Sequence, residues 1–337
     1  MKSITIRLTS LIYLPIVIFF SLIASLRGDT PDTYNYKIVY ENIFSYSLAP
    51  SVFYGQTYME VGFAYLAYPF KYFDLDFRYF LFFYSILIFY FIKKTSNNFN
   101  VNPVYVVLCY SSTFYFYHQW MQIRQGLAVV LGFYFLSLIY TNRRKILASL
   151  AMTSALFTHT VVSPFLFFLI LRQKKIKRFI DQDNYKFIFM IITLMFVSFA
   201  MCRFLMVYGI SYIDRIQTYS TLEETRDLFH PANLRGLLLL VVFLIFRVRN
   251  SILSVLIMVY AIGISFRFGF YDFLILSGRL SNIFCFAEIF IIPLILKLRF
   301  DRFFVTLLVI IYSLFSLYFT LELQLPNLIE NYFSPLP

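Results

Sequence analysis

Long apolar stretches recur along the whole chain, separated by short turns that are polar or basic. A bilayer core about 30 Å thick takes roughly 20 residues of helix at 1.5 Å each. By that measure residues 8–26, 77–92, 101–117, 123–140, 187–206, 234–246, 252–266, 283–296 and 303–321 read as about nine full crossings. The run at 61–70 is too short to cross and reads as interfacial or re-entrant, being rich in Phe and Tyr. The pattern predicts an all-α fold: one polytopic integral membrane helical bundle over 1–337, with extracytoplasmic segments at 27–76 and 207–233.

Residues 146–171 fit neither template. As helix they make roughly 39 Å, long for one crossing and far short of two. Basic clusters flank them on both sides, at 143–145 and 172–178. A re-entrant hairpin leaves the majority of the 29 lysines and arginines on the cytoplasmic face. A single crossing inverts every later loop and leaves the majority outside, so the positive-inside rule selects the hairpin. His159 and Thr160 form its apex, with Pro164 just beyond to break the helix. Lys2 and Arg7 precede the first apolar run and predict a cytoplasmic N-terminus, and that run is too long for the core of a cleaved signal.

Composition fixes the class. Hydrophobic residues make up 60% of the chain, aromatic ones 22% and charged ones only 14%, more apolar surface than a soluble domain of 337 residues can cover. A net charge of +12 suggests nucleic acid in other settings, but here the basic residues form short clusters between apolar runs. Those are topology signals, and no nucleic-acid partner is expected. Cys109, Cys202 and Cys285 lie inside apolar runs as packing residues, and neither they nor the histidines show metal-ligand spacing. No metal and no cofactor is expected.

Ionisable groups enter or border hydrocarbon only where something needs them. The predicted topology puts all three histidines, most acidic residues and an arginine-dominated basic set on the outer side. The guanidinium fork suits phosphate and keeps its charge beside lipid, so that side is equipped for a phosphorylated ligand. Any one of these arginines can equally anchor a helix at the headgroups. Arg124 and Arg279 stand out because each is embedded in a helix-forming apolar run. On a helix His118, Gln122 and Gln125, at i, i+4 and i+7, share one face, with Arg124 about 100° around. Such a stripe lines a cavity or bonds neighbouring helices. His159 with Ser163 repeats the i, i+4 spacing at the hairpin apex, where irregular backbone must line a cavity or be buried in protein.

Five short motifs follow one another along the chain. Arg27-Gly28-Asp29, with Tyr34 and Tyr36 beyond it, follows the first apolar run. Glu60-Val61-Gly62-Phe63 comes next, then Ile123-Arg124-Gln125-Gly126-Leu127-Ala128. An alanine-rich segment ends in Leu156-Phe157-Thr158-His159, and Gly278-Arg279 opens a late span. In this combination the chain resembles the EpsG-like, Wzy-type polysaccharide polymerases. Thr160-Val161-Val162-Ser163 departs from that family's usual small residue followed by Ala or Gly.

The resemblance implies a fold similar to the GT-C-type lipid-linked-sugar transferases, set in a bacterial inner membrane. It implies metal-independent glycosyl transfer on the extracytoplasmic face, joining undecaprenyl-diphosphate-linked repeat units into O-antigen, capsule or exopolysaccharide. A flippase and a chain-length regulator are the implied partners. Arg124, Arg279, His118, Gln122, Gln125, Arg27 and Asp29 are then expected to bind the diphosphate and the glycan. His159, Glu60 and Asp32 are the candidates for the base that takes the attacking hydroxyl's proton. A sugar O-acyltransferase, an O-antigen ligase and a lipid-linked-sugar transporter are the competing readings; a transporter needs a site reached from both faces, whereas the ionisable residues gather on one.

Overall fold

The computed structural model describes residues 8–141, 144–173, 176, 179–180, 183–209 and 228–336. Helix is the only regular structure among them, and the chain forms two compact units, Met1–Leu169 with Thr306–Pro337, and Ile170–Val305. Arg143, the basic residues at 174–175 and 177–178, and most of the expected outer loop at 207–233 lie outside the described residues.

The first unit is built on α7 (Ile123–Tyr140), which is apolar nearly all round and buried from Leu127 to Ile139. Such a helix needs neighbours on every side. It has α5 (Phe77–Asn98) against it and α8 (Lys145–Thr158) returning antiparallel through a short loop. The N-terminal helix α1 (Leu8–Ser25) packs on α5, where the Tyr13 hydroxyl donates to the Phe89 carbonyl (2.6 Å) and Ser85 bonds Ser21 (3.0 Å). Between α1 and α5 the segment expected to be extracytoplasmic folds into three short α-helices, α2 (Thr33–Glu41), α3 (Pro50–Thr57) and α4 (Gly62–Tyr72). The last of these covers the 61–70 run; at roughly 16 Å it is too short to cross a membrane.

Five segments are long and apolar enough to span a bilayer: Ile123–Tyr140, Asn184–Tyr208, Ser251–Gly269, Ser277–Arg299 and Arg302–Gln324. The protein is therefore a helical membrane protein, but on these criteria fewer helices qualify than the nine expected. Two expected crossings are the shorter apolar helices Leu11–Ser25 and Pro231–Ile245. A third, 101–117, is interrupted: α6 (Pro103–Thr113) is only 11 residues long and gives way to a π-helical turn over Phe116–Met121. The 77–92 crossing runs on through Lys93 and Lys94 to Asn98 as part of α5.

The 146–171 segment breaks where its length and flanks required. Helix α8 ends at Thr158, His159 is extended (φ −162°, ψ 120°), and a 3-10 helix runs over Thr160–Arg172. The chain turns back at that point. Thr160 lies level with Arg124 through their shared partner Glu60, whereas Phe165 packs on Phe133 (ring centroids 5.2 Å) beside Gly132. Gly132 is roughly 12 Å farther along α7. The two arms, about 21 and 26 Å long, both fall short of a 30 Å core.

The second unit holds α9 (Asn184–Gly209), α10 (Pro231–Ile245), α11 (Ser251–Gly269), α12 (Leu274–Cys285) and α13 (Glu288–Arg299), with α11 packed on α9, α10, α12 and α13. Two glycines let α11 approach closely: a Cβ on Gly263 would lie 2.8 Å from Cys285 Sγ, and one on Gly269 2.4 Å from Cys202 Cβ. Three of the unit's arginines, Arg247 buried and Arg235 and Arg267 half-buried, are held by protein groups. Arg235 pairs with Glu288 (2.5 Å), and Arg267 bonds Ser281 (3.1 Å), Asn282 (3.0 Å) and the Ala232 carbonyl (2.9 Å). Arg247 bonds Asn184 (2.6 Å) and Ser254 (2.9 Å). His230 caps α10, its Nδ1 accepting from the Ala232 N–H (3.2 Å).

Candidate functional site

Glu60 lies in a tight loop between α3 and α4, entered through Tyr58 in the left-handed region (φ 56°). Gly62 fixes where that loop sits. A Cβ there would lie 2.4 Å from the Phe157 carbonyl oxygen and 2.9 Å from the Thr158 nitrogen, so only glycine lets α4 press on the last turn of α8. This contact seats the Glu60 carboxylate over the helix break. One oxygen, Oε1, accepts from the Thr160 N–H (3.0 Å) and hydroxyl (3.1 Å) and pairs with His159 Nδ1 (2.8 Å). The other, Oε2, accepts from Arg124 Nη1 (2.5 Å).

Arg124 stands in the first turn of α7, its guanidinium over the Tyr36 ring at 5.7 Å; Tyr36 in turn stacks on Phe63 at 5.5 Å. The Ile-Arg-Gln-Gly motif has a steric reason as well. A Cβ on Gly126 would lie 2.6 Å from the His118 carbonyl oxygen and 2.7 Å from its Cβ, so glycine allows the π-helical turn to close on α7 and set Arg124.

Burial alone would raise the Glu60 pKa, but the hydrogen bond and charge of His159, the charge of Arg124 and the Thr160 N–H outweigh it and bring the carboxyl down to about 2. A carboxylate so stabilised is a poor proton acceptor and a strong orienting group. In the neutral form of the ring, a carboxylate on Nδ1 keeps the hydrogen on Nδ1 and leaves Nε2 as the proton acceptor. Gly62→Ala is expected to cost about 1–3 kcal/mol through overpacking and to disturb Glu60 as well. Gly55→Ala, whose Cβ meets nothing within 4 Å, serves as the control. Thermal unfolding of the two variants compared with wild type checks the pair.

Glu60, Arg124, His159 and Tyr36 thus meet from four of the five motifs' surroundings, and the family model of the EpsG family matches residues 10–335, which include them all. The chain belongs to the EpsG family. It matches no curated protein and no solved structure.

In this EpsG-family chain the remaining candidates fall in different places. Asp32 lines a cleft of about 380 Å³ that also reaches Arg124. Arg27 is buried inside the first unit: Nε donates to Thr33 (3.0 Å) and Nη1 to the Gln119 carbonyl, and burial lowers its pKa to about 10, still cationic at neutrality. Gly28 and Asp29 donate backbone hydrogen bonds to the carbonyls of Tyr332 (2.9 Å) and Ser334 (3.0 Å), with the Asp29 side chain exposed. The Arg-Gly-Asp motif is thus a clasp joining the end of α1 to the π-helical turn and the C-terminal residues.

The expected stripe on one continuous helix is not present. The helix breaks at Gln122 (φ −100°, ψ 60°), with π-helix before it and α7 after. His118 is fully buried, stacked on Phe114 at 5.7 Å and near Tyr110 at 6.2 Å; Gln125 is buried as well, and Gln122 is half-buried. Arg279 lies half-buried on α12 of the second unit, next to Gly278, whose position has open space where a Cβ would stand. Arg124, expected as a lone cation, is paired with Glu60. Sequence reasoning named Thr160 only as part of the hairpin apex and Tyr36 only within a motif; the Thr160 hold on Glu60 and the stacking of Tyr36 under Arg124 were missed, with adjacency of Thr160 to the histidine the available signal.

Proposed function

We propose that this chain polymerises a surface polysaccharide by glycosyl transfer between lipid-linked repeat units. Membership of the EpsG family points to polymerisation in surface-glycan assembly. The observation that carries the chemistry is one buried carboxylate, Glu60, bonded at once to His159 Nδ1 and to Arg124. That arrangement orients an imidazole as a base and fixes a guanidinium beside it.

In this reading the donor is a glycan on undecaprenyl diphosphate, and the reaction takes place on the extracytoplasmic face. His159 Nε2 takes the proton from a hydroxyl of the acceptor sugar. That oxygen bonds to the donor's anomeric carbon while the bond from that carbon to the diphosphate oxygen breaks. Undecaprenyl diphosphate leaves with the bonding electrons, and its developing charge must be met. We assign that task to Arg124, whose guanidinium the Glu60 carboxylate holds in place.

Deleting the gene in its host is expected to leave surface glycan as single repeat units, with wild type restoring long chains on complementation. Arg124→Lys keeps the charge and loses the planar fork, so it is expected to restore chain formation at least about tenfold less well. A gel of extracted surface polysaccharide reads both. Unchanged chain length in the deletion strain would overturn the proposal.

A further inference from the structure

The cleft beside the cluster has its own chemistry. It lies along the segment between α1 and α5 of the first unit, is lined among others by Asp32, Asn35, Tyr36, Gln56, Tyr58 and Arg124, and has a volume of about 380 Å³. That is at the small end of ligand cavities. Beside the apolar Ile38, Val39 and Met59, the lining carries a carboxylate, a guanidinium, two amides and tyrosine rings, polar groups that an acyl or prenyl chain would leave unsatisfied. They suit a sugar ring, whose C–H face stacks on aromatic rings and whose neighbouring hydroxyls bond carboxylates and amides.

The backbone lining the cleft is also held away from its ordinary conformations. Asp32 and Tyr58 are both left-handed, with φ of 66° and 56°. Asp32 is the N-cap residue of α2, a position where an extended backbone normally lets the carboxylate bond the helix's first N–H groups. Here the left-handed backbone carries the side chain off the helix end, and no cap hydrogen bond forms. The carboxylate is left to the cleft. Tyr58 is 72% exposed at the rim, a large aromatic surface given to water. Non-glycine residues kept in this region cluster at ligand sites, because the surroundings must impose the conformation.

We propose that this cleft seats the terminal sugar of the acceptor, with Asp32 and Asn35 holding its hydroxyls and Tyr58 covering its C–H face. The assignment rests on the polymerase reading above. It places the acceptor beside Arg124, and Arg124 and His159 share the Glu60 carboxylate.

The test uses the full chain in nanodiscs and oligosaccharides released by mild acid from the host's own surface polysaccharide. Saturation-transfer NMR is expected to show contact with C–H protons of the oligosaccharide's terminal residue. Asp32→Gly and Tyr58→Gly are each expected to weaken binding at least about tenfold. Their thermal midpoints should be unchanged or higher, since glycine adopts the left-handed backbone without strain. Asn35→Ala, at an exposed position on α2, is expected to weaken binding with no backbone effect and decides the matter if a glycine variant unfolds. Binding unchanged in the folded variants would overturn the assignment. So would an absence of binding in a preparation that polymerises lipid-linked units, an outcome that leaves the polymerase reading standing. A preparation that neither binds nor polymerises would sink both.

Discussion

His159→Ala is expected to give a folded, membrane-inserted protein that accumulates single repeat units in place of polymer. A general base typically contributes about 10²–10⁴-fold to rate, and a loss of that size ends chain growth on the time scale of cell division. The fold should survive, because the ring sits at a helix break with its side chain 18% exposed, and Glu60 keeps Arg124 and Thr160. His159→Gln separates two roles. Glutamine can still donate to Glu60 but offers no base, so it should fail as alanine does if proton transfer matters. Normal polymer from the glutamine variant would make the histidine a strut and pass the role to Glu60 or Asp32.

Glu60→Ala is expected to be the most destabilising single change in the first unit. It leaves Arg124 largely buried without its carboxylate, and removing one partner of a buried pair typically costs about 3–5 kcal/mol. The depressed pKa agrees: the interval from 4.5 to about 2 corresponds to on the order of 3 kcal/mol in favour of the ionised carboxylate. Because the folded value lies below the unfolded one, this stabilisation is complete above the ordinary carboxyl range and is lost as pH falls toward about 2. The gap in thermal midpoint between wild type and Glu60→Ala should therefore be widest near neutrality and close between about pH 4.5 and 2. Adding Arg124→Met should recover stability, since the uncompensated charge is gone, yet leave polymerisation absent. Recovery of polymer in the double variant would show that the pair has only a structural part.

Much of the architecture was legible because it follows from length and period. Residues 123–140 were bounded as a span by Gln122 and Thr141, and α7 has those limits. The break at His159 followed from a run too long for one crossing between two basic clusters. The joining of the cluster was not legible, since Glu60 meets Arg124 across 64 residues and His159 across 99. Each was named from the sequence, Glu60 and His159 as alternative bases and Arg124 for the diphosphate; only the fold shows that one carboxylate holds the other two. His118 misled because i, i+4 spacing assumes an α-helix, and a π-helical turn changes which side chains share a face. The burial of Arg27 was not legible because its partners, the Thr33 hydroxyl and the Gln119 carbonyl, leave no mark in a sequence.

The central claim is that the chain holding this cluster forms glycosidic bonds between lipid-linked repeat units, with His159 as the base. Purified wild type and His159→Gln, reconstituted in proteoliposomes with the host's undecaprenyl-diphosphate-linked repeat unit, test it most directly. Wild type is expected to yield a ladder of polymer with one undecaprenyl diphosphate released per bond formed, and the variant single units alone. Equal ladders from both, or folded wild type that forms no bond, would contradict the account.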